Sequence, residues 1–158
     1  MTNERKQQVE EIDIAILGGG PAGLQAALVL SRTRKKIIVF DTPEPPRNTA
    51  SPGVHNFLGL DGLLPMDIRK IAWKQIDKYN SAELRKEKII NVIKEKDEKF
   101  VITSDNERSI RAKKVILAVG YYDVYLDIPG FIECWGDTII SCPFCDGYEI
   151  KIIFGVLW

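Results

Sequence analysis

Residues 12–41 read IDIAILGGGPAGLQAALVLSRTRKKIIVFD, in which apolar runs flank a cluster of glycines. The apolar run at residues 12–17 is typical of a buried parallel strand. Residues 21–32 place leucine and alanine at helical spacing, and residues 36–40 are rich in β-branched side chains, which favours a second strand. The stretch therefore predicts a βαβ unit and an α/β fold with a parallel sheet.

The glycine cluster matches the pattern Gly-x-Gly-x-x-Gly at Gly18, Gly20 and Gly23. In a dinucleotide-binding loop these glycines allow a tight turn, a close approach of the backbone to a pyrophosphate, and close packing of helix on strand. Pro21 and Ala22 open the helix, whose first turn offers N–H groups and a positive dipole end to a phosphate. The pattern alone is weak evidence, and a glycine-rich turn without a ligand is the alternative.

An acidic residue stands where a ribose-binding carboxylate is expected. Asp41 ends the second predicted strand and follows Gly18 by 41 − 18 = 23 residues, close to the spacing of ~20 residues in dinucleotide-binding folds. A carboxylate here disfavours a 2′-phosphate. The sequence therefore predicts an NAD- or FAD-like ligand at this site rather than an NADP-like one.

Composition predicts one globular domain. The chain has 158 residues, 45% of them hydrophobic, and its 22 basic residues balance 22 acidic ones, which leaves no basic footprint for nucleic acid. No apolar run approaches the length of a membrane span, and the polar residues 1–11 predict a frayed arm rather than a signal peptide. The odd count of 3 cysteines disfavours a disulfide framework and predicts a cytoplasmic protein.

The middle of the chain predicts a long loop, a helix and a β-meander. Residues 42–64 are rich in proline and glycine, and a loop of this length is usually functional; we interpret its lone histidine, His55, as a hydrogen-bonding residue. Residues 65–79 carry an apolar stripe at helical spacing. Short strands are expected at 89–93, 100–103 and 109–112, followed by a buried strand at 114–119. That strand ends at Gly120, which either lets the chain pass close to a ligand or makes a plain turn.

The sequence Cys142-Pro143-Phe144-Cys145-Asp146 predicts dithiol chemistry. A Cys-x-x-Cys pair at the start of a helical turn has a thiol pKa lowered by the helix dipole and by the neighbouring thiol, and the pair cycles between dithiol and disulfide. Asp146 is placed to exchange protons with the thiols. Zinc needs four ligands, and one Cys-x-x-Cys, a lone Cys134 and a distant His55 do not supply them, so no metal is predicted. We interpret Cys134 as a buried structural thiol.

The position of the cysteine pair disfavours a thioredoxin-type carrier, because the pair follows a dinucleotide-binding unit by more than a hundred residues. A flavin between a pyridine nucleotide and the dithiol agrees better with this order. Such a flavin accepts electrons as a pair and passes the pair to a disulfide.

These residues together resemble the low-molecular-weight thioredoxin reductase family of flavin disulfide reductases. The resembling segments are Gly18-Gly19-Gly20-Pro21-Ala22-Gly23, Asp41, His55-Asn56-Phe57-Leu58-Gly59, Ala118-Val119-Gly120, Ile128-Pro129-Gly130 and Cys142-Pro143-Phe144-Cys145-Asp146-Gly147. Leu58 replaces a proline of the family pattern, and Val119 replaces a threonine. Pro-Phe between the cysteines replaces the usual Ala-Thr and is similar to a branch that includes dithiol oxidases acting on small-molecule disulfides.

The resemblance implies a Rossmann-like, three-layer ββα FAD-binding fold with a β-meander, and a flavoprotein oxidoreductase activity that uses FAD and NADPH. It implies that Gly18, Gly20, Pro21, Ala22, Gly23, Asp41, Asn56 and Gly120 bind the cofactor. It also implies that Cys145 faces the flavin, that Cys142 attacks an external disulfide and that Asp146 donates the proton. The external disulfide would be thioredoxin or a small molecule, and the full-length protein would be a homodimer.

The length of the chain predicts an incomplete member of that family. We assign residues 1–11 to the arm, 12–122 to the first part of an FAD domain, and 123–158 to the start of an NAD(P)H domain whose first strand is expected at 154–157. No second glycine motif follows, so most of the NADPH site is missing. The first hypothesis is a fragment of a flavin disulfide reductase. The alternatives are a non-catalytic FAD-binding pseudoenzyme module and a dithiol oxidase.

Overall fold

The computed structural model describes residues 9–149, which form two compact units. The first, here called the sheet unit, comprises residues 9–45 and 71–120 of the described chain. The second, the dithiol unit, comprises residues 46–70 and 121–149. Most of the predicted arm and the strand expected at 154–157 lie outside the described residues.

One six-stranded mixed sheet organises the sheet unit, in the order β3-β2-β1-β6-β5-β4. Strands β3, β2, β1 and β6 run parallel, and β4, β5 and β6 form an antiparallel meander. The elements are β1 (Glu10–Leu17), α1 (Pro21–Ser31), β2 (Ile37–Asp41), α2 (Pro65–Asp77, of which residues from Ile71 onward belong to this unit), β3 (Ala82–Lys86), β4 (Ile89–Lys94), β5 (Phe100–Ser104) and β6 (Ser109–Leu117).

Two hydrophobic clusters lie on the two faces of the parallel strands. One cluster joins Ile16 and Val39 to Leu24 of α1 and Ile76 of α2. The other joins Ile12, Leu17, Ile38 and Phe40 to the meander residues Ile102, Ile110 and Ala112. Alternation along each strand sends successive side chains to opposite faces, so the parallel sheet is buried on both sides. Helices, parallel sheet and meander therefore form three layers, which confirms the predicted fold class.

The structure differs from the sequence prediction at two strands. Residues 109–119 were expected to form two strands, but β6 is continuous from Ser109 to Leu117 and pairs with β1 along its length. Lys113, which lay between the two expected strands, is exposed and continues the strand, with its Nζ 2.7 Å from Asp13 Oδ1. Strand β3 was not predicted. It is a charged edge strand in which only Ala82 and Leu84 pack on the core.

The N-terminal end of β1 carries a paired carboxylate. Glu10 Oε2 lies 2.8 Å from Arg85 Nη1, and its Oε1 lies 2.6 Å from Lys36 Nζ. Hydrogen bonds from Arg85 and then from Lys36 lower the pKa of Glu10 from 4.5 to about 2. The interaction ties β1 to the edge strand β3.

The dithiol unit contains a turn-rich loop and two short helical turns. Residues 46–64 are mostly turns and bends, closed by an antiparallel bridge between Val54 and Leu63, as the proline and glycine content predicted. The helical turns are α3 (Phe131–Cys134) and α4 (Pro143–Asp146). Within residues 9–149, no helix is long and apolar enough to cross a membrane.

Candidate functional site

Two of the three motif glycines are required by the fold itself. Gly18 has a left-handed φ of 115°, and a Cβ there would lie 2.1 Å from the carbonyl oxygen of Ala118, just beyond β6. A Cβ at Gly23 would lie 1.8 Å from the carbonyl oxygen of Gly18. Any side chain at either position would overlap backbone atoms, so these glycines permit the turn and its contact with α1.

Neither the backbone conformation nor the packing of the protein requires glycine at position 20. Its φ of −78° suits any residue, and a Cβ there would meet no protein atom within 4 Å. The first helical hydrogen bond runs from Leu24 N–H to the Gly20 carbonyl at 2.9 Å. The N–H groups of Gly20, Ala22 and Gly23 precede that bond, and Pro21 has none. This open, donor-bearing backbone fits an anionic ligand such as a pyrophosphate.

Asp41 accepts a hydrogen bond from the glycine loop. Its Oδ1 accepts a hydrogen bond from Gly19 N–H at 3.1 Å, and a Cβ on Gly19 would lie 2.6 Å from Asp41 Cγ. Asp41 therefore stands at the carboxyl end of β2, where the sequence placed it, and also has a structural role that sequence reasoning missed. The carboxyl end of β6 faces the same edge and leads to Gly120, where a Cβ would also meet open space. Ligands of open α/β sheets bind at this edge.

The cysteine pair lies at the start of α4. Cys142 is the residue preceding the helical turn, and its carbonyl accepts the N–H groups of Cys145 at 3.1 Å and Asp146 at 3.2 Å. Cys142 is half-buried, Cys145 is exposed, and Phe144 between them is 89% exposed. Both thiols are free. An exposed pair on one short turn is accessible to a disulfide partner.

The two thiols differ in acidity. The Cys145 thiol donates a hydrogen bond to the Cys142 sulfur, and this bond, together with the backbone N–H groups of Cys145 and Phe144, lowers the pKa of Cys142. The same bond, with burial and the negative charges of the Cys142 thiolate and Asp146, raises the pKa of Cys145 to about 11. The thiolate therefore forms at Cys142. The main cause is the hydrogen bond from the Cys145 thiol, followed by donation from the backbone N–H groups; α4 is only four residues long, so its helix dipole contributes little.

An arginine stands beside the pair. Arg47 forms a two-pronged ion pair with Asp123, with Nε–Oδ2 at 2.7 Å and Nη2–Oδ1 at 2.8 Å. Its guanidinium lies 4.5 Å from the centre of the Tyr121 ring. The positive charge of Arg47 opposes the rise in the pKa of Cys145. Nothing in the sequence motif marked this role.

A cavity of about 460 Å³ opens within the dithiol unit. Its lining includes Arg47, His55, Tyr121, Trp135, Cys142 and Cys145. A cavity of this size, with aromatic walls, a cation and two thiols, accommodates a small organic molecule.

His55 and Asn56 both contact Asp61 and the segment that carries the cysteine turn. His55 Nδ1 lies 3.5 Å from Asp61 Oδ2, and its Nε2 lies 3.5 Å from Glu149 Oε1. Asn56 Nδ2 donates a hydrogen bond to the carbonyl oxygen of Phe144 at 2.7 Å. The structure thus brings Asn56 to the cysteine turn, together with Asp146. The other predicted cofactor-binding residues, Gly18, Gly20, Pro21, Ala22, Gly23, Asp41 and Gly120, belong to the sheet unit.

The third cysteine is apart from the pair. Cys134 ends α3 and is half-buried rather than buried, and its carbonyl accepts N–H groups from residues 137–139. Among residues 9–149, no group of three or more histidine, cysteine, aspartate or glutamate side chains is arranged to hold a metal ion.

The chain belongs to the pyridine nucleotide-disulphide oxidoreductase family, whose model matches residues 12–152. Within that family it is similar to the low-molecular-weight thioredoxin reductases. It is 40% identical to the thioredoxin reductase tcpT of Claviceps purpurea over 140 residues, which is 87% of this chain and 43% of that protein.

Solved structures show the same likeness. The putative thioredoxin reductase TrxB of Bacillus anthracis is 35% identical, with a TM-score of 0.83 over 88% of this chain and 46% of that one. An oxidoreductase of Agrobacterium tumefaciens is 37% identical, with a TM-score of 0.83 over 89% of this chain and 47% of that one. The chain thus spans less than half the length of the proteins it matches.

Proposed function

We propose that this chain contributes the FAD-binding loop and the redox dithiol of a thioredoxin reductase-like flavoenzyme. In this proposal electrons pass from NADPH, by way of FAD, to a disulfide of Cys142 and Cys145 and then to an external disulfide. The observation that carries the proposal is the acidic Cys142 thiol, hydrogen-bonded to Cys145 in a member of a disulphide oxidoreductase family.

The glycine loop supports FAD as the dinucleotide. Gly20 and Gly120 each present open backbone, and the start of α1 offers N–H donors to a pyrophosphate. Asp41, at the end of β2, is the proposed partner of the ribose hydroxyl groups. We assign residues 12–122 to the N-terminal part of the FAD domain and 123–158 to the start of the NAD(P)H domain. FAD, when bound, supplies the two-electron exchange between NADPH and the Cys142–Cys145 disulfide.

The two thiols have separate tasks in the external step. The Cys142 thiolate attacks one sulfur of the partner disulfide; its S–S bond breaks, a mixed disulfide forms, and the first partner thiolate leaves. Cys145 then loses its proton to Asp146, which donates it in turn to the leaving partner thiolate, and the Cys145 sulfur attacks the Cys142 sulfur. The Cys142–Cys145 disulfide forms and the second partner thiolate leaves. The partner disulfide is reduced to two thiols and the dithiol is oxidised by the same two electrons.

Two kinds of disulfide are candidate partners of the dithiol. The names of the relatives support thioredoxin. We carry over a homodimer of the full-length protein from the family resemblance, and the cytoplasm from the cysteine count. A dithiol oxidase acting on a small-molecule disulfide is the second candidate. The cavity of about 460 Å³ beside both cysteines favours it, because a small molecule can enter a cavity that a protein disulfide cannot.

The proposal is tested by reacting the reduced chain with an aromatic disulfide that releases a coloured thiolate. The wild-type chain should release two thiolates in succession for each cysteine pair. Cys145→Ser should stop at the mixed disulfide, Cys142→Ser should lose the fast phase, and Cys134→Ser is the matched control. A Cys142→Ser variant that reacts as fast as the wild type would exclude the assignment.

A further inference from the structure

Asn56 combines a hydrogen bond to the cysteine turn with an uncommon backbone conformation. Its φ is 61°, in the left-handed region, which asparagine tolerates better than most residues. Its backbone N–H donates to Asp61 Oδ1 at 2.7 Å, which fixes the main chain at this point. The side-chain amide then reaches residue 144, across 88 positions of sequence, at 2.7 Å.

The acceptor of that bond lies between the two cysteines. The Phe144 carbonyl and the Cys145 N–H belong to the same peptide group. That N–H donates to the Cys142 carbonyl at 3.1 Å and also hydrogen-bonds the Cys142 sulfur. A chain of groups therefore runs from the Asn56 amide, through one peptide group, to the Cys142 sulfur. A donor at the carbonyl end of a peptide strengthens donation from its N–H end.

We propose that Asn56 is a positioning residue for the dithiol, which holds the Phe144–Cys145 peptide in the orientation that stabilises the thiolate of Cys142. It acts through that peptide, whose carbonyl accepts a hydrogen bond from its side-chain amide. The charged groups around the pair act separately: Asp146 raises the pKa of both thiols, and Arg47 opposes the rise at Cys145. The inference rests on the proposed function, in which Cys142 is the attacking sulfur.

Asn56→Gly removes the donor but keeps the backbone, because glycine adopts a left-handed φ without strain. Asn80→Gly is the matched control, since Asn80 also has a left-handed φ of 52° and lies in the sheet unit. The thiolate absorbance of the reduced chain, followed against pH, gives the pKa of Cys142. Asn56→Gly should raise it by about half a unit, which makes the reaction with an aromatic disulfide roughly threefold slower below the pKa.

Asn56→Asp provides a second variant of nearly the same size. Because a carboxylate cannot donate to the Phe144 carbonyl and adds negative charge, the pKa of Cys142 should rise further than in Asn56→Gly. Unchanged urea midpoints would show that both variants are folded. A Cys142 pKa in Asn56→Gly equal to that of Asn80→Gly and the wild type would overturn the inference. Failure of the wild-type chain to release thiolate from the aromatic disulfide, or of Cys145→Ser to retain a mixed disulfide at Cys142, would instead contradict the proposed function.

Discussion

Alanine substitutions at the three motif glycines should affect stability and ligand binding differently. Those at Gly18 and Gly23 should lower the free energy of unfolding, whereas the one at Gly20 should weaken ligand binding. Alanine normally stabilises a helix relative to glycine by about 1 kcal/mol, and Gly23 lies inside α1. Its new Cβ, however, would lie 1.8 Å from the Gly18 carbonyl oxygen, a backbone atom that cannot swing away. Overpacking of this kind costs about 1–3 kcal/mol, and a contact with a fixed backbone atom costs about 3 kcal/mol. The gain in helix propensity of about 1 kcal/mol offsets part of this cost. Gly23→Ala should therefore destabilise the chain by about 2 kcal/mol.

Gly18→Ala should cost more, because two effects add. Its φ of 115° is strained for any residue with a Cβ, which costs about 1–3 kcal/mol. The Cβ would also lie 2.1 Å from the Ala118 carbonyl oxygen. We expect a loss of about 3 kcal/mol or more, a large part of the ~5–15 kcal/mol that stabilises a typical domain.

Gly20→Ala should leave the free energy of unfolding within about 1 kcal/mol of the wild type. Alanine is a poorer N-cap residue for α1, which destabilises the chain. Alanine also makes the unfolded chain less flexible, which stabilises the folded state by a similar amount. Urea unfolding followed by circular dichroism checks all three. With a slope of ~1–3 kcal/mol per molar, Gly23→Ala should lower the midpoint by about 1 M. Flavin fluorescence during FAD titration then tests the ligand: Gly20→Ala should weaken binding although it unfolds normally. An unchanged midpoint for Gly23→Ala, or tight FAD binding by Gly20→Ala, would refute the reasoning.

Further predictions concern ionisation. In the reduced chain iodoacetamide should modify Cys142 before Cys145 at neutral pH, as read by peptide mass spectrometry; the reverse order would contradict the assignment of acidities. Arg47→Met should slow the alkylation of Cys145 at a fixed alkaline pH, because its positive charge opposes the rise in that pKa; an unchanged rate would exclude the effect. The folded pKa of Glu10, about 2, lies below its ordinary value of 4.5. Its stabilising contribution is therefore complete above pH 4.5 and is lost as the pH falls through 2. Glu10→Gln should show a smaller drop in urea midpoint between pH 7 and 3 than the wild type; an equal drop in both would contradict it.

Sequence patterns among neighbouring residues predicted the βαβ unit that begins the fold. The spacing of Gly18, Gly20 and Gly23 placed the turn and α1, and the acid at the end of β2 was placed by counting residues. These features depend on neighbours in sequence and on steric rules that hold in any context. Strand β3 was missed because only two of its residues pack on the core, which leaves a short and weak alternation.

Contacts that join distant residues could not be predicted. The bond from Asn56 to the Phe144 carbonyl spans 88 positions, and the motif suggested only a cofactor-binding role for Asn56. The pairing of Arg47 with Asp123 spans 76 positions and likewise left no local pattern. A lowered thiol pKa was predicted for the cysteine pair, with the helix dipole and the neighbouring thiol as its causes. The structure attributes it to the Cys145 thiol and to neighbouring N–H groups.

The central claim is that Cys142 and Cys145 form a reversible redox pair. The most direct test is peptide mass mapping of the 158-residue chain, equilibrated in thiol–disulfide buffers of increasing oxidising strength. The account predicts one cooperative conversion to a Cys142–Cys145 disulfide, reversed by excess dithiol, with Cys134 remaining a thiol throughout. A chain in which both cysteines stay reduced, or in which the disulfide joins Cys134 to either of them, would contradict it.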